Sequence, residues 1–366
     1  MEIVIEKGKL LDGLDKISKI LPTKPVIATT GGILVDGKKD GITLTATDLQ
    51  LTIKIFIEAA VKDKGLILIP GKNFISLVKK IPEESIKITT RENSILVENK
   101  SFQYKFLLMD AEEYPKLPFD KEQTSESGDL VISSSILLDM IKKTSYCINP
   151  DEPRMYFRGV LMEKKGNLLN MVATDTRRLS LIRKEIQGEG KVKIILPMRL
   201  IDVFPVIFKE ADVSMSFSKN QITLKSDRTT LISQLLEGEF PDYEKVIPAA
   251  NKTGTAIIKT EQLLSSLERL SLMSSESVSS VKLNFRKNLL VLNIESPESG
   301  SGEEKLNIEY AGAENTIVFN PEYIIQFLKT VTQEEIEFFF QDPVKPARLC
   351  GTGDQEYIYV AMPMRQ

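Results

Sequence analysis

Apolar residues of this chain follow helical spacing in a few long stretches and alternate with polar residues in many shorter ones. In the first third, the leucines and isoleucines between Leu10 and Leu21 share one face of a predicted helix, and a second helix is predicted just after Pro70. Short runs such as Leu51–Ile57 have the alternation of half-buried strands, and Asp36-Gly37 is predicted as a turn between two of them. The pattern therefore predicts helix, strands, helix, strands.

The same order of elements occurs three times along the chain. Pro70, Pro197 and Pro321 each separate an apolar strand from an amphipathic helix, and they lie 127 and 124 residues apart. Ala46–Asp48 returns as Ala173–Asp175. Solenoid repeats have periods of roughly 20 to 50 residues, so a period this long indicates repeated domains. Three copies of one fold predict a quasi-symmetric arc or part of a ring.

The fold class follows from the content of each repeat. Two helices against several short strands predict an α+β fold, with the helices on one face of antiparallel sheets. Polar stretches at 116–128 and 248–254, rich in Pro, Ser, Asn and Gly, predict linkers between the repeats. We therefore predict three domains, at 1–122, 129–248 and 254–366.

Composition excludes several classes of protein. A hydrophobic content of 42% and a charged content of 27% are typical of soluble globular chains. No window approaches the roughly 18 uncharged apolar residues of a membrane helix, and the charged start is unlike a signal peptide. Cys147 and Cys350 fall in different repeats, which favours neither a disulfide framework nor a zinc site. The expected location is the cytoplasm.

The chain contains no histidine and carries a net charge of −3. Histidine is the commonest general base and the commonest metal ligand, so its absence lowers the expectation of hydrolase or metal chemistry. We predict no metal and no cofactor. Because the net charge is small and negative, any binding of a polyanion requires positive charge concentrated on one surface.

Lysines on the predicted helices could form such a surface. Lys79 and Lys80 lie on the second helix of the first repeat, and Lys142 and Lys143 on the first helix of the second repeat. For any single lysine, the solvated face of an amphipathic helix is the favoured interpretation. Their recurrence on corresponding helices favours a common surface suited to phosphates.

Asp48 and Asp175 invite comparison with a pair of catalytic carboxylates. The alternative is that each Ala-Thr-Asp ends a strand, with the Asp and Thr side-chain oxygens accepting hydrogen bonds from nearby backbone N–H groups. We favour this structural interpretation, since the sequence shows no metal-ligand cluster or base near either aspartate.

Three motifs carry a resemblance to a known family. They are ATDTRRL at Ala173–Leu179, EFPDYEKVIP at Glu239–Pro248 and the ending YVAMPMRQ at Tyr359–Gln366. With the triple repeat, they resemble the bacterial DNA polymerase III beta subunit, the sliding clamp, over the whole chain. The resemblance implies a non-catalytic, head-to-tail homodimeric ring, with helices lining a hole for double-stranded DNA and sheets outside. Its implied partners are the polymerase alpha subunit, the clamp loader and repair proteins.

The resemblance also implies three sets of site residues. A pocket for short apolar peptides is expected at Phe157, Thr174, Thr176, Arg177, Arg178, Leu179, Pro241, Lys245, Val246, Pro346, Val360, Met362, Pro363, Met364 and Arg365, with Arg178 and Arg365 at its rim. The expected DNA-facing residues are Lys24, Arg154, Tyr156 and Arg199, to which charge alone adds Lys79, Lys80, Lys142 and Lys143. The expected dimer seam comprises Phe74, Phe106, Leu108, Leu272 and Met273.

The sequence departs from the family pattern at two pocket positions. The family usually has glycine where Thr176 stands and often histidine where Arg177 stands. A Cβ and a hydroxyl at Thr176 are expected to narrow one side of the pocket and shift its motif preference.

Two other functions remain open at this point. One is a peptide-binding scaffold that does not encircle DNA, and the recurring helix lysines argue against it. The other is an enzyme that uses Asp48 or Asp175, and the lack of an unrepeated polar cluster argues against it.

Overall fold

The structure is a computed structural model that describes residues 1–82, 85–116, 130–187, 191–249, 254–274 and 280–364. These residues contain six α-helices, two in each repeat. They are Lys7–Ser18 (α1), Gly71–Lys80 (α2), Ser134–Thr144 (α3), Met198–Ile207 (α4), Thr260–Ser271 (α5) and Pro321–Leu328 (α6).

The strands of the described residues also follow the repeats. The first repeat contributes Glu2–Glu6 (β1), Gly32–Lys38 (β2), Gly41–Thr47 (β3), Leu51–Glu58 (β4), Ala60–Asp63 (β5), Gly65–Pro70 (β6), Ser85–Arg91 (β7), Ser94–Glu98 (β8) and Gln103–Leu107 (β9). The second contributes Leu130–Ser133 (β10), Gly159–Lys165 (β11), Leu168–Thr174 (β12), Arg178–Glu185 (β13), Val192–Pro197 (β14), Asp212–Ser218 (β15), Gln221–Ser226 (β16) and Thr229–Gln234 (β17). The third contributes Thr255–Lys259 (β18), Val281–Arg286 (β19), Leu289–Ser296 (β20), Gly300–Asn307 (β21), Asn315–Phe319 (β22), Glu335–Phe339 (β23), Ala347–Gly351 (β24) and Tyr357–Ala361 (β25).

The described residues divide into two compact units. The first holds those from 1–135 and 199–235, and the second holds those from 136–187, 191–198 and 236–366. The first unit has two antiparallel sheets, with strand orders β5-β1-β7-β8-β9 and β10-β15-β16-β17-β4-β3-β2-β6. Helices α1 and α2 pack on each other, and α1 also packs on β4.

The second unit likewise has two antiparallel sheets. Their orders are β14-β11-β12-β13-β25-β24-β23-β18 and β21-β20-β19-β22. Helices α5 and α6 pack on each other, and α5 also packs on β20 and β21. The predicted α+β class with antiparallel sheets is therefore confirmed.

Each eight-stranded sheet continues from one repeat into the next. In the first unit, β4 of repeat one pairs with β17, the last strand of repeat two, and Ile53 lies opposite Leu231. In the second unit, β13 of repeat two pairs with β25, the last strand of repeat three, and Leu179 lies opposite Val360. In repeat three, the counterpart of β4 and β13 is β21, and in repeat one, the counterpart of β17 and β25 is β9. Both of these strands lie at the edge of a sheet.

The predicted helices are confirmed, but their bounds differ. The stripe of the first helix is buried as expected, with Leu10, Leu14 and Ile17 each 0% exposed. The helix ends at Ser18 rather than Leu21, although Ile20 beyond it is also buried. Apolar burial thus continues past the end of the helix, so hydrophobic periodicity alone predicted a helix that is too long at its C-terminal end.

Two local predictions were wrong or incomplete. Asp36-Gly37 is not a turn but lies inside β2, where Gly37 pairs with Ile42 of β3. In addition, each repeat begins with a strand that the pattern did not separate from the following helix: β1, β10 and β18. These strands are short, and pairing with β7, β15 and β23 defines them.

The predicted linkers lie largely outside the described residues, which omit 117–129 and 250–253. The three domain boundaries therefore stay a prediction. In the described part of the chain, no helix has the length and apolar character needed to cross a membrane.

Candidate functional site

The second unit contains a cavity with a volume of ≈ 530 Å³. Its lining residues are Phe157, Thr174, Thr176, Arg178, Leu179, Phe240, Pro241, Asp242, Tyr243, Lys245, Val246, Ile247, Pro248, Gln341, Lys345, Pro346, Val360 and Met362. The structure thus brings most of the predicted pocket residues together. Arg177, Pro363 and Met364 do not line this cavity, and Arg365 lies outside the described residues.

The floor of the cavity is part of an apolar core. Leu179 and Val360, which pair across the junction of β13 and β25, are 4% and 3% exposed. Phe157 belongs to the same buried cluster. At the mouth, Val246 is 50% exposed and Met362 is 40% exposed. The site therefore combines a fixed apolar floor with accessible apolar side chains that can adapt to a ligand.

A tight turn between β12 and β13 forms one side of the cavity. Asp175 Oδ1 accepts hydrogen bonds from the backbone N–H groups of Arg177 and Arg178, each at 2.9 Å. Thr174 Oγ1 accepts from the N–H of Thr176 at 3.1 Å and donates to the carbonyl of Arg178 at 2.6 Å. This geometry places Thr176 at φ 73°, a left-handed conformation that is strained for a β-branched residue.

The first repeat contains the same turn. Thr47 Oγ1 accepts from the N–H of Leu49 at 3.0 Å, and Asp48 Oδ1 accepts from those of Gln50 and Leu51 at 3.1 and 2.7 Å. Leu49 has a φ of 76°, close to that of Thr176. The structural interpretation of the two Ala-Thr-Asp motifs is confirmed. No group of three or more potential metal ligands occurs among the residues that the structure describes.

Seven lining residues were missed by the sequence analysis. They are Phe240, Asp242, Tyr243, Ile247, Pro248, Gln341 and Lys345. The first five lie inside the quoted motif EFPDYEKVIP, so its apolar positions were a usable signal. The last two lie in the connection between β23 and β24, which spans seven residues, whereas only two residues separate β7 from β8 and β15 from β16. A comparison of connection lengths between the three repeats would have identified this longer loop.

The prediction that Arg178 forms a polar rim was wrong. Its Nε donates to Asp175 Oδ2 at 2.9 Å, its Nη2 donates to the carbonyl of Tyr146 at 2.6 Å, and its Nη1 donates to Gln326 Oε1. The residue is 9% exposed, and its guanidinium carbon lies 4.4 Å from the ring centre of Tyr323. Because each guanidinium nitrogen already has an acceptor, Arg178 stabilises the cavity wall instead.

Family models match the chain in three consecutive segments. The DNA polymerase III beta subunit N-terminal domain matches residues 1–118, the central domain matches 131–242 and the C-terminal domain matches 244–365. The chain belongs to the DNA polymerase III beta subunit family. This family is the sliding clamp, a processivity factor without catalytic activity, and the prediction of a non-enzymatic protein is confirmed.

Individual relatives agree with this assignment over full length. The beta sliding clamp of Chlamydia pneumoniae is 27% identical over 369 residues, covering 100% of this chain and 99% of the relative. The DNA polymerase III subunit beta of Pseudomonas aeruginosa has a TM-score of 0.94 at 25% identity and 100% coverage of both chains. That of Thermotoga maritima has a TM-score of 0.90 at 26% identity, with coverage of 100% of this chain and 99% of the other.

Several of the predicted DNA-facing residues are exposed cations. Lys24 is exposed in the segment after α1, Lys80 is exposed on α2 and Lys142 is exposed on α3. Their contact with DNA stays a prediction. Their exposure leaves their ammonium groups accessible to phosphates.

Arg154 and Tyr156 precede the cavity wall in the chain. Arg154 is exposed, its Nε donates to Glu152 at 2.6 Å, and its guanidinium carbon lies 4.6 Å from the ring centre of Phe157. Tyr156 is half-buried, and its ring centre lies 4.6 Å from that of Phe157. Both residues therefore pack on Phe157, which itself lines the cavity.

Lys143 was wrongly included among the DNA-facing residues. It is 8% exposed, its Nζ lies 3.1 Å from Asp139 Oδ2 and 5.3 Å from the ring centre of Tyr357. A buried, paired ammonium is not accessible to a phosphate. Charge counting along a helix cannot distinguish Lys143 from the exposed Lys142 beside it.

Arg199 and Lys79 have partners within the first unit. Arg199 Nε lies 3.1 Å from Asp48 Oδ2, and its Nη2 donates to the carbonyl of Lys19 at 2.6 Å. This cation therefore lies at the C-terminal end of α1, where positive charge is favourable. Lys79 Nζ lies 2.9 Å from Asp15 Oδ1. Any role of these two residues in DNA binding comes in addition to a structural one.

The predicted seam residues of the third repeat are accessible. Leu272, directly after α5, is 75% exposed, and Met273 is half-buried. Met273 Cγ lies 3.8 Å from where a Cβ on Gly302 would be, which places this pair beside edge strand β21. An isolated exposed leucine is ordinary, so an interface at Leu272 and Met273 stays a prediction.

The predicted seam residues of the first repeat require a correction. Phe74 is 1% exposed, so it is a core residue and does not face a partner. Phe106 is half-buried and contacts Phe74 edge to face, with 6.2 Å between ring centres. Leu107, which was not predicted, is 72% exposed at the end of edge strand β9, whereas Leu108 is half-buried. The accessible apolar residue of this edge is therefore Leu107.

Cys147 and Cys350 are both free and buried. Burial raises the pKa of both thiols, and that of Cys350 reaches about 11. They stay protonated at neutral pH and are poor nucleophiles.

We expect Thr176→Gly to leave the fold intact and to enlarge the cavity. Glycine adopts φ 73° without the strain that a β-branched residue bears there, and this relief of about 1–3 kcal/mol exceeds the roughly 0.5–1 kcal/mol of added unfolded-state entropy. The free energy of unfolding should therefore rise slightly, as measured by denaturant titration. Leu49→Gly, at nearly the same φ in the first repeat, relieves the same strain away from the cavity but also removes a half-buried leucine side chain, so it should gain less stability. A clear loss of stability in Thr176→Gly alone would contradict the assignment of strain.

Proposed function

We infer that two copies of this chain close head to tail into a sliding clamp that encircles double-stranded DNA and tethers the replicative polymerase. The observation that carries this proposal is the continuation of sheets across repeats. Strands β4 and β17 join repeat one to repeat two, and β13 and β25 join repeat two to repeat three. The same rule pairs β21 of one copy with β9 of a second copy.

This pairing makes the interface heterologous and closed. A heterologous contact generates a ring when its rotation closes and a filament when it does not. Both existing junctions are antiparallel, so we propose an antiparallel pairing of β21 with β9. Leu272 and Met273 on one copy and Leu107 on the other supply the apolar contacts beside this pairing. With three repeats in each copy, the ring has sixfold pseudosymmetry, with helices towards the hole and sheets outside.

We propose that DNA is held by topology with weak phosphate contacts. A ring needs no tight contact to stay on DNA, and weak contacts that are blind to sequence permit sliding. The net charge of −3 fits this requirement, because only local cations such as Lys24, Lys80, Lys142 and Arg154 face the phosphates. No bond is made or broken, which fits a family without catalytic activity. The proposed location is the cytoplasm.

Retention on circular DNA tests this proposal. Clamp loaded on nicked circular DNA should remain bound and should slide off when the circle is linearised. Equal retention on linear DNA with free ends would show that affinity rather than encirclement holds it. If the protein binds partner peptides but is never retained on circles, it is the peptide-binding scaffold considered above.

Lys24→Glu should lower retention on nicked circles without changing the mass of the dimer. Loss of one phosphate contact is expected to weaken binding by about fivefold at physiological salt. The matched control is Lys39→Glu, which reverses an exposed charge in the turn between β2 and β3. Arg199→Glu is less informative, because it places a second carboxylate beside Asp48. Equal losses for Lys24→Glu and Lys39→Glu would mean that only net charge matters.

We propose that the cavity binds a short apolar peptide motif from the polymerase, the clamp loader and repair proteins. A leucine and an aromatic ring fit the apolar floor, and each buried side chain contributes roughly 1.5–3 kcal/mol. After the cost of ordering the peptide, this predicts a Kd around micromolar. Calorimetry with a peptide of the Gln-Leu-x-Leu-Phe type measures it. Lys245 and Lys345, which line the cavity, replace Arg178 as the proposed cationic rim.

A further inference from the structure

A buried carboxylate lies behind the cavity without lining it. Glu163 is on β11, and its side chain is 7% exposed. Its Oε2 lies 3.0 Å from Lys165 Nζ and accepts a hydrogen bond from the hydroxyl of Tyr243 at 2.8 Å. A buried carboxylate is costly unless it is paired and hydrogen-bonded, and here it has both kinds of partner.

Tyr243 connects this carboxylate to the cavity wall. Its ring lines the cavity, and it begins the short 3-10 helix Tyr243–Val246. Lys245 and Val246 of that helix also line the cavity, as does Ile247 after it. The orientation of one phenol ring therefore affects the position of a whole wall.

Backbone hydrogen bonds contribute little to holding this wall. Between residues 236 and 248, the described backbone makes one hydrogen bond to another element, from the N–H of Leu236 to the carbonyl of Ile195 at 3.0 Å. The segment 240–248 is then held by its side chains, chiefly Phe240 in the apolar core and Tyr243 at Glu163. The tyrosine provides a specific polar contact at the start of the 3-10 helix.

A third residue fixes the direction of the hydroxyl. Asn170 lies directly opposite Glu163 in the pairing of β11 with β12, and its Nδ2 donates to the hydroxyl of Tyr243 at 3.3 Å. The hydroxyl accepts from the amide and donates to the carboxylate, so both of its functions are used. Charge-assisted hydrogen bonds of this kind are stronger than neutral ones.

The first repeat provides an internal comparison. Asp36 corresponds to Glu163, because Leu34 lies opposite Leu68 on β6 as Leu161 lies opposite Ile195 on β14. Asp36 pairs with Lys38 at 3.1 Å, as Glu163 pairs with Lys165, but its side chain is 38% exposed and accepts no hydrogen bond from a tyrosine of the described first repeat. The ion pair is thus shared by both repeats. The tyrosine contact is found in the repeat that forms the cavity.

We propose that Glu163 is a positioning residue of the peptide site. Its hydrogen bond fixes the orientation of Tyr243 and thereby stabilises the wall segment 240–248 in the conformation that binds the peptide. This inference rests on the proposed function of the cavity. If the hydrogen bond between Tyr243 and Glu163 is lost, the wall segment occupies the binding conformation for a smaller fraction of the time. The apparent Kd for the peptide then rises by the inverse of that fraction. Glu163 itself touches no peptide, so its removal acts through the wall.

Three variants test the proposal by calorimetry with a Gln-Leu-x-Leu-Phe peptide. Tyr243→Phe removes the hydroxyl and keeps the ring, and Glu163→Ala removes the acceptor; each should raise the Kd by about tenfold. Glu163→Gln keeps an oxygen acceptor and should restore most of the affinity. The double variant Tyr243→Phe with Glu163→Ala should be no weaker than either single one, since both remove the same contact.

Hydrogen exchange and a matched control separate positioning from general stability. Amides of 243–247 should exchange faster in Glu163→Ala, while those of β11 and β12 keep their protection. Asp36→Ala removes the corresponding ion-paired carboxylate and should leave peptide affinity unchanged. A lowered Tm with unchanged Kd in Glu163→Ala, or equal effects of Asp36→Ala and Glu163→Ala, would overturn the inference. If the wild-type chain itself does not bind the peptide, the proposed function fails rather than the role of Glu163.

Discussion

Replacing Leu107 and Leu272 together by aspartate is expected to convert the proposed closed dimer into folded monomers. Both side chains are exposed in the single chain, at 72% and 75%, so a carboxylate at either place is solvated before association. Association through β9 and β21 would bury these groups. We therefore expect an intact fold with the same thermal unfolding and a much weaker dimer.

The size of this effect can be estimated from its parts. Each buried leucine contributes roughly 1.5–3 kcal/mol, and an unpaired carboxylate adds several kcal/mol of desolvation cost. Together these raise the dimer Kd by at least about 10⁴-fold. Sedimentation equilibrium at nanomolar to micromolar concentration measures this change.

The matched control is Leu66→Asp. Leu66 is 52% exposed on β6, which is the edge of its sheet but does not belong to the pair of strands that the junction rule selects. That variant should remain dimeric. A dimer that persists at nanomolar concentration in the Leu107 and Leu272 double variant would rule out this joint and the ring built from it.

Deleting Met362 to Gln366 will abolish peptide binding while dimerisation survives. Strand β25 ends at Ala361, so the deletion begins after the last strand and spares the pairing of Leu179 with Val360. It removes Met362 from the mouth of the cavity, together with the hydrogen bond from its N–H to the carbonyl of Arg177 at 2.8 Å. It also removes the N–H of Met364, which donates to the carbonyl of Val318 at 2.8 Å.

We expect the Kd to rise by at least about 100-fold in this deletion, since Met362 and its exposed apolar surface are lost and the turn at Arg177 loses a hydrogen-bond partner. Removing Arg365 and Gln366 alone separates the contribution of the last two residues from that of the methionines. Sedimentation should show an unchanged dimer, because the deleted residues belong to neither β9 nor β21. Peptide binding by the full deletion at wild-type affinity would show that the cavity is not the site.

Sequence reasoning was strongest where the repeat supplied several observations of one feature. The Ala-Thr-Asp turn was interpreted from two copies, and both show the predicted use of Asp48 and Asp175 as acceptors for backbone N–H groups. The antiparallel α+β class was likewise supported three times over. By contrast, single alternations such as that of β1 did not stand out beside the longer helical pattern that follows.

The errors have a common physical cause, which is that exposure depends on tertiary packing. Lys142 and Lys143 are adjacent and chemically identical, yet the second packs over Tyr357, a residue more than two hundred positions later. Arg178 was assigned a rim role from its type, but Gln326 and Tyr146 take up its guanidinium nitrogens. Phe74 is covered by Phe106. None of these partners follows from local spacing.

The hydrogen bond between Glu163 and Tyr243 shows a related limit of prediction from local sequence. The motif around Tyr243 was visible in the sequence, but its acceptor lies 80 residues earlier on a strand whose preceding residues Val160, Leu161 and Met162 are buried and apolar. An acidic residue within such a strand is a usable signal, since carboxylates are seldom buried without a partner. The sequence does not identify which hydroxyl or cation pairs with that carboxylate.

The residues that line the cavity belong to repeats two and three, and none of them lies on β9 or β21. The proposed peptide site is therefore independent of the proposed joint, and monomers made by the Leu107 and Leu272 double variant should still bind partner motifs. Such monomers would compete with rings for the polymerase while remaining unable to stay on DNA, and so should act as dominant inhibitors of processive synthesis. Conversely, each ring of the proposed dimer would carry two identical peptide sites, so two partners would be held at high local concentration and could exchange without the ring leaving the DNA.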